Sequence, residues 1–284
     1  MPNNLLTVCD TLEINGPTVA FNSGLTYTIG DADTDRLEIQ SGVVTFSNGS
    51  TINLTGDFIM SGGSFTGTEN TDLNITDDIT LTGGTLNWNG TDVTLNGSSE
   101  QLIDGTFTGT SAFDDLTINN SSATGVTINS GNVEVTGVLT LTDGLFNTSS
   151  TETLTLTSSG DWTGASANSY VTGPVTKQDI AATSTYEFPV GKTARYAPVS
   201  VVNVRDGGDD WTAEYFTSTS AIYPNSSFDN SDPGSGFNSL IRVESTDRWE
   251  ITSAGFNRAQ IRATYGTHNS FANEANIRLV WWDD

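Results

Sequence analysis

Arg36-Leu37-Glu38-Ile39-Gln40-Ser41-Gly42-Val43-Val44 is answered 21 residues later by Asp57-Phe58-Ile59-Met60-Ser61-Gly62-Gly63-Ser64-Phe65. The next 21-residue step brings Asp78-Ile79-Thr80-Leu81-Thr82-Gly83-Gly84-Thr85-Leu86, and another brings Glu100-Gln101-Leu102-Ile103-Asp104-Gly105-Thr106-Phe107. Gly42, Gly63, Gly84 and Gly105 form the ladder, with inward positions five and three residues before each glycine and two after it. In the fourth copy these are Glu100, Leu102 and Phe107, so Leu102 is expected to face inward. Spacing of two is strand spacing, with alternate side chains on one face. A strand pattern repeating at this short period cannot cover its own apolar face, so successive copies must stack. The expected fold is all-β: a parallel β-solenoid, right-handed by the usual preference of parallel connections.

A second inward strand lies between the glycine motifs, carried by Ile52 and Leu54, Leu73 and Ile75, Val93 and Leu95, and Leu116 and Ile118. Two strands per rung imply a flattened or triangular coil. Earlier alternations at Leu12–Ile14, Val19–Phe21 and Tyr27–Ile29 belong to the same stack. Past Gly109 the register is ambiguous, because Gly131 and Gly144 both carry the motif yet lie only 13 residues apart; insertion and strand shortening both fit. About 20 residues per rung predicts seven to nine coils and a rod roughly 35 to 40 Å long.

Charge divides the chain. Residues 1–176 hold 20 acidic residues and one basic residue, Arg36, whereas residues 177–284 hold 14 and 9. The expected organisation is a solenoid over 1–176, a linker over 177–185, and a β-sandwich-like domain over 186–284, where the repeat stops and short apolar runs are joined by longer loops. A formal net charge of −24 excludes a nucleic-acid partner, which needs positive charge against phosphate, and disfavours anionic membranes. The single cysteine, Cys9, allows no intramolecular disulfide. No run approaches the roughly 20 apolar residues of a membrane span. Met1–Asp10 shows no secretion-signal pattern, which points to a cytosolic chain or to a piece of a longer exported one.

Phe113-Asp114-Asp115-Leu116-Thr117-Ile118-Asn119-Asn120-Ser121-Ser122, Gly137-Val138-Leu139-Thr140-Leu141-Thr142-Asp143-Gly144, Ser169-Tyr170-Val171-Thr172-Gly173-Pro174-Val175 and Phe188-Pro189-Val190-Gly191-Lys192 occur in that order. With Asp247-Arg248-Trp249-Glu250-Ile251, the succession resembles the repetitive modules of very large exported surface proteins of Bacteroidota-type bacteria, many released by type IX secretion. The resemblance spans about residues 110–284, and residues 1–109 share only its repeat style. It implies an extracellular or cell-surface place and a structural or adhesive role, with no catalytic residues, since the shared motifs are turn and core positions. The expected partners are neighbouring domains of a longer chain, cell-surface components or glycans, and other copies joined end to end.

Asp31, Asp33 and Asp35 have the alternating carboxylates that Ca²⁺ loops use, but Arg36 stands where such a loop needs glycine, so a solvated acidic turn is the simpler reading. Asp206, Asp209 and Asp210 form a looser cluster. Asp77-Asp78 and Asp114-Asp115 invite comparison with the acid and base of glycan cleavage. Neighbours in a strand point to opposite faces, which opposes this unless they sit in turns. Threonines at Thr80, Thr82, Thr140, Thr142 and Thr153–Thr157 suggest an outer array, broken at Glu38, Gln40, Ile59, Ser61 and Gln101 and explained by the β-propensity of threonine. Trp88 has inward parity; Trp162, Trp211, Trp281 and Trp282 are less constrained, and His268 reads as a loop residue. The expected function is a non-catalytic, stiff acidic spacer or multivalent binding rod. Its rivals are a carbohydrate-binding or carbohydrate-degrading solenoid and an end-to-end fibre subunit.

Overall fold

The computed structural model describes residues 6–192, 195–217, 247–255 and 258–263. Each coil contributes one strand to each of three faces. The first face is an eight-stranded parallel sheet that begins with Leu6–Val8 and Thr26–Ile29 and ends with Val138–Asp143 and Asp161–Thr163. The second is a seven-stranded sheet running from Leu12–Asn15 through Arg36–Ser41 and Asp57–Met60 to Phe146–Asn147. The third starts with Val19–Phe21, Val43–Phe46, Ser64–Thr66 and Thr85–Asn87, and bridges through Phe107 and Phe113 to Val133–Val135. Eight strands at strand spacing give a rod of about 34 Å along the stack.

The expected two strands per rung are thus three. The apolar residue two past Gly42, Gly63 and Gly84 lies in a strand of its own, and Phe107 past Gly105 makes a bridge there, because the positive-φ glycine turns the chain by one corner. Gly63 shows why the position demands glycine. It has φ +68°, and a Cβ on it would stand 2.7 Å from the Gly42 carbonyl oxygen of the coil before. The puzzle of Gly131 and Gly144 resolves the same way. Gly131 stacks on Gly105 at the corner between second and third faces, where a Cβ would meet the Gly105 carbonyl oxygen at 2.1 Å. Gly144 instead follows Val138–Asp143, at the corner between the first and second faces. Val126 pairs with Gln101 on the second face, whereas Leu139 pairs with Leu116 on the first. Thirteen residues therefore separate two faces of neighbouring coils, with no coil shortened.

The second-strand register is as read: Ile52, Leu73, Val93 and Leu116 lie opposite one another in turn. The fourth ladder copy is not. Ile79 pairs with Ile103, so Gln101 and Ile103 point inward and Leu102 points outward. Three extra residues enter this coil ahead of the strand, and a shift of odd parity exchanges the faces of every side chain. The buried Gln101 is accommodated by its amide: Nε2 donates to the carbonyls of Ile75 and Asp77, and Oε1 accepts from Gly97 N and Asn120 Nδ2.

Aromatic rings fill the third-face side of the core in a row: Phe21, Phe46, Phe65, Trp88, Phe113 and Phe107. Trp88 is fully buried and stacked on Phe113 at 5.3 Å, as its parity implied.

The expected linker over 177–185 begins inside a strand. Val175–Ile180 pairs in parallel with Leu154–Leu156 of the last full coil and antiparallel with Asp209–Thr217, so the third face runs without a break into the following sheet. Lys177 secures this joint by donating from Nζ to the carbonyls of Thr157, Ser158 and Gly160. That sheet and a second antiparallel one of Thr185–Phe188, Val199–Val202 and Gln260–Ala263 bury Ile180, Trp211, Ala213 and Tyr215 with Phe188, Val199 and Val201 in a β-sandwich-like arrangement continuous with the solenoid core. Trp211 is thus core, and Trp162 is tied down by its Nε1 donating to the Glu187 carbonyl at 2.7 Å. His268, Trp281, Trp282 and the runs Leu240–Val243 and Asn276–Trp282 lie outside the described residues.

Candidate functional site

Asp31, Asp33 and Asp35 open the strand Arg36–Ser41. Asp35 is turned inward, 7% exposed, and its Oδ2 accepts from the backbone N–H of Asp31 and Ala32 at 2.8 and 3.0 Å. The Asp35 carboxylate therefore closes its own turn. The three carboxylates do not gather within the 4.8 Å that marks a common ligand cluster. Nor do Asp206, Asp209 and Asp210: Asp210 Oδ1 accepts from Asp179 N, and Asp206 faces Arg205 at 3.9 Å.

Among the described residues the carboxylates that do converge are Asp57, Asp77 and Asp78, all half-buried, with oxygens within 4.8 Å of one another. They sit at the corner between the first and second faces. Asp77 and Asp78 lie in the turn between Thr71–Ile75 and Ile79–Leu81, so strand alternation does not separate them. Asp57 opens the strand of the coil before, and its Oδ1 accepts from Asp78 N at 3.1 Å. Asp78 Oδ1 in turn accepts from Leu102 N at 2.6 Å. Asp57 escaped the sequence reading, although its distance of 21 residues from Asp78 is the coil period and could have flagged it.

Burial raises all three carboxyls, and repulsion from neighbouring carboxylates adds to it at Asp77 and Asp78. Asp77 is pushed up to about 6 by burial first, then by Asp57, Asp78 and Asp33. Burial is the main cause for Asp57 and Asp78 as well. A shallow cleft of about 220 Å³ adjoins Asp77, walled by Asp33, Thr55, Thr76, Asn96 and Ser99 among others. Such a set of hard oxygens matches what Ca²⁺ takes, at half its usual coordination number.

The other carboxylates weighed for glycan cleavage are tied between coils. Asp114 accepts from Gly90 N and from Thr136 Oγ1, and Asp115 accepts from Val138 N. With Asp78 they tie one coil to the next. The cleft beside Asp77 holds no basic residue. Comparison with family models, curated proteins and solved structures found no match.

Proposed function

We propose that the chain is a non-catalytic structural and adhesive module of a secreted or cell-surface protein, a stiff acidic rod that spaces and presents binding surfaces. The observation that carries this reading is the use made of its carboxylates. Asp78, Asp114 and Asp115, which sequence spacing could have offered to catalysis, are hydrogen-bonded between coils. One continuous core serves the rod and the sandwich, and on the first two faces the parallel ladders resist bending because every strand is bonded on both sides except at the ends.

Two stretches that carry the resemblance to exported surface modules meet at the joint. Val171 bridges to Val190, and Tyr170, Val171, Phe188 and Val190 are all buried. These are the positions that fix a rod rigidly to the unit after it. Rigidity serves a spacer, and repeated weak contacts along a rod sum to strong attachment. The net charge of −24 keeps such rods apart in solution.

The test is an immunoblot of fractionated source cells with antibody against this chain. A surface-associated band, lost when intact cells are treated with protease, is expected. A protease-resistant band confined to the soluble interior of the cell would overturn the reading.

A further inference from the structure

The register of the eight-stranded face sets its outward side chains in two straight columns. One column runs from Thr7 to Thr163, one residue per coil, and every member is threonine except Asn53 and Asn74. The column two residues earlier carries Asp72, Asp92 and Asp115 on three successive coils, then the exposed Val138, and Asp161 on the last. Both columns step at strand spacing, about 4.8 Å. No lysine or arginine occurs in any of the eight strands. The second face has no such order: its corresponding positions read Glu38, Ile59, Thr80 and Asp104. Of the array read from sequence, the interruptions Glu38 and Ile59 belong to that face, whereas Thr140 belongs to the column on its neighbour.

We propose that this first face docks flat on a solid whose outer layer presents divalent cations at regular intervals, a calcium mineral. Apart from the exposed Val138, the outward groups of the two columns are carboxylate, hydroxyl and side-chain amide, the hard oxygen ligands that Ca²⁺ takes. They are ordered before contact. Asn74 Nδ2 donates to Asn53 Oδ1 at 2.9 Å, and Thr51 Oγ1 donates to Asp72 Oδ2 at 3.1 Å, so neighbouring coils hold one another's side chains in line. Among the described residues the row of aspartates has no counter-charge within the strands of its own face. Repulsion from Asp115 and Asp72 adds to burial in raising the Asp92 carboxyl, and a facing layer of cations would relieve it. A flexible polycation needs charge alone and would find it equally at the acidic corner. A lattice engages the neutral threonine column as well, and a preordered array loses little freedom on contact. This inference rests on the reading of the rod as an adhesive module and names what it adheres to.

The experiment measures adsorption of the purified full chain to hydroxyapatite. The variant Asp72→Asn/Asp92→Asn/Asp115→Asn should weaken adsorption at least about tenfold, and Thr94→Val/Thr117→Val/Thr140→Val, which keeps the charge, by several-fold. The control Glu13→Gln/Glu69→Gln/Glu100→Gln removes the same charge away from the face and should change adsorption less than about twofold. Thermal unfolding of each variant confirms that it is folded before its isotherm is compared. Equal losses in the aspartate variant and the control, or no loss in the threonine variant, would overturn the proposal by reducing it to net charge. A chain found on the cell surface that does not adsorb defeats the docking alone; one found only inside the cell defeats the module reading.

Discussion

Gly63 and Gly24 share the same backbone angle, φ +68°, and differ in what lies beyond their Cα atoms. Around Gly24 a Cβ would meet nothing within 4 Å, whereas at Gly63 it would lie 2.7 Å from the Gly42 carbonyl oxygen and 2.8 Å from the Ser41 carbonyl carbon. Gly24→Ala therefore incurs only the left-handed backbone cost, about 1–2 kcal/mol. Gly63→Ala incurs that and a collision with backbone that cannot rotate away, adding about 1–3 kcal/mol by the measure of overpacked cores. The two variants thus isolate the contact between stacked coils from the glycine's conformational freedom. Urea unfolding of both, with a check that the slope of the transition is unchanged, reads the difference. Gly63→Ala should unfold at clearly lower urea than Gly24→Ala, both below the parent chain. Equal losses would show that the ladder glycines serve the turn alone and that the coils do not meet there as described.

Trp88→Ala should lower stability by about 3–5 kcal/mol in chemical unfolding, because a fully buried indole is removed from the aromatic row. Trp88→Phe should retain most of that, since the indole N–H is buried without a hydrogen-bond partner. Thr91 Oγ1 is buried and unpartnered as well, so Thr91→Val should leave the melting temperature unchanged or raise it. Asp77 gives a pH dependence whose sign is fixed by its raised carboxyl. The folded chain takes up the proton before the unfolded one, so stability rises as pH falls from about 6 toward the ordinary 3.8. Asp57, Asp78 and Asp92 act in the same direction, while the lowered Glu38 acts against it. Asp77→Asn should raise stability near neutral pH by about 1 kcal/mol once solvent screening of a half-exposed group is allowed for, and should flatten the profile below pH 6.

Period and parity made the stack legible in the sequence, and their limits explain what was not. Ile52, Leu73, Val93 and Leu116 recur at nearly constant intervals, and their pairing follows directly. Gln101 was misplaced because a polar residue inside and an apolar Leu102 outside invert the usual signal, and only the amide's four hydrogen bonds make that inversion tolerable. The third strand of each coil was hidden because Ser64–Thr66 and Thr85–Asn87 are too short to alternate visibly. The convergence of Asp57 with Asp77 and Asp78 depends on which corner each coil turns, and the columns of the first face depend on knowing that three faces exist. Charge shifts near Lys177, but a composition shift carries no information about strand pairing, which crosses it.

The stiffness of the rod and the straight columns of its first face rest on one register, and a disulfide reads it. In a Cys9→Ser background, Thr94→Cys with Thr117→Cys places two thiols on directly opposed residues of adjacent parallel strands, within the span a disulfide bridges. Mild oxidation should close this pair within the monomer, while Thr94→Cys with Leu116→Cys, whose second thiol points into the core, should stay reduced. Closure of the second pair and not the first would mean a one-residue slip, and would contradict both the stacked rod and the surface it presents.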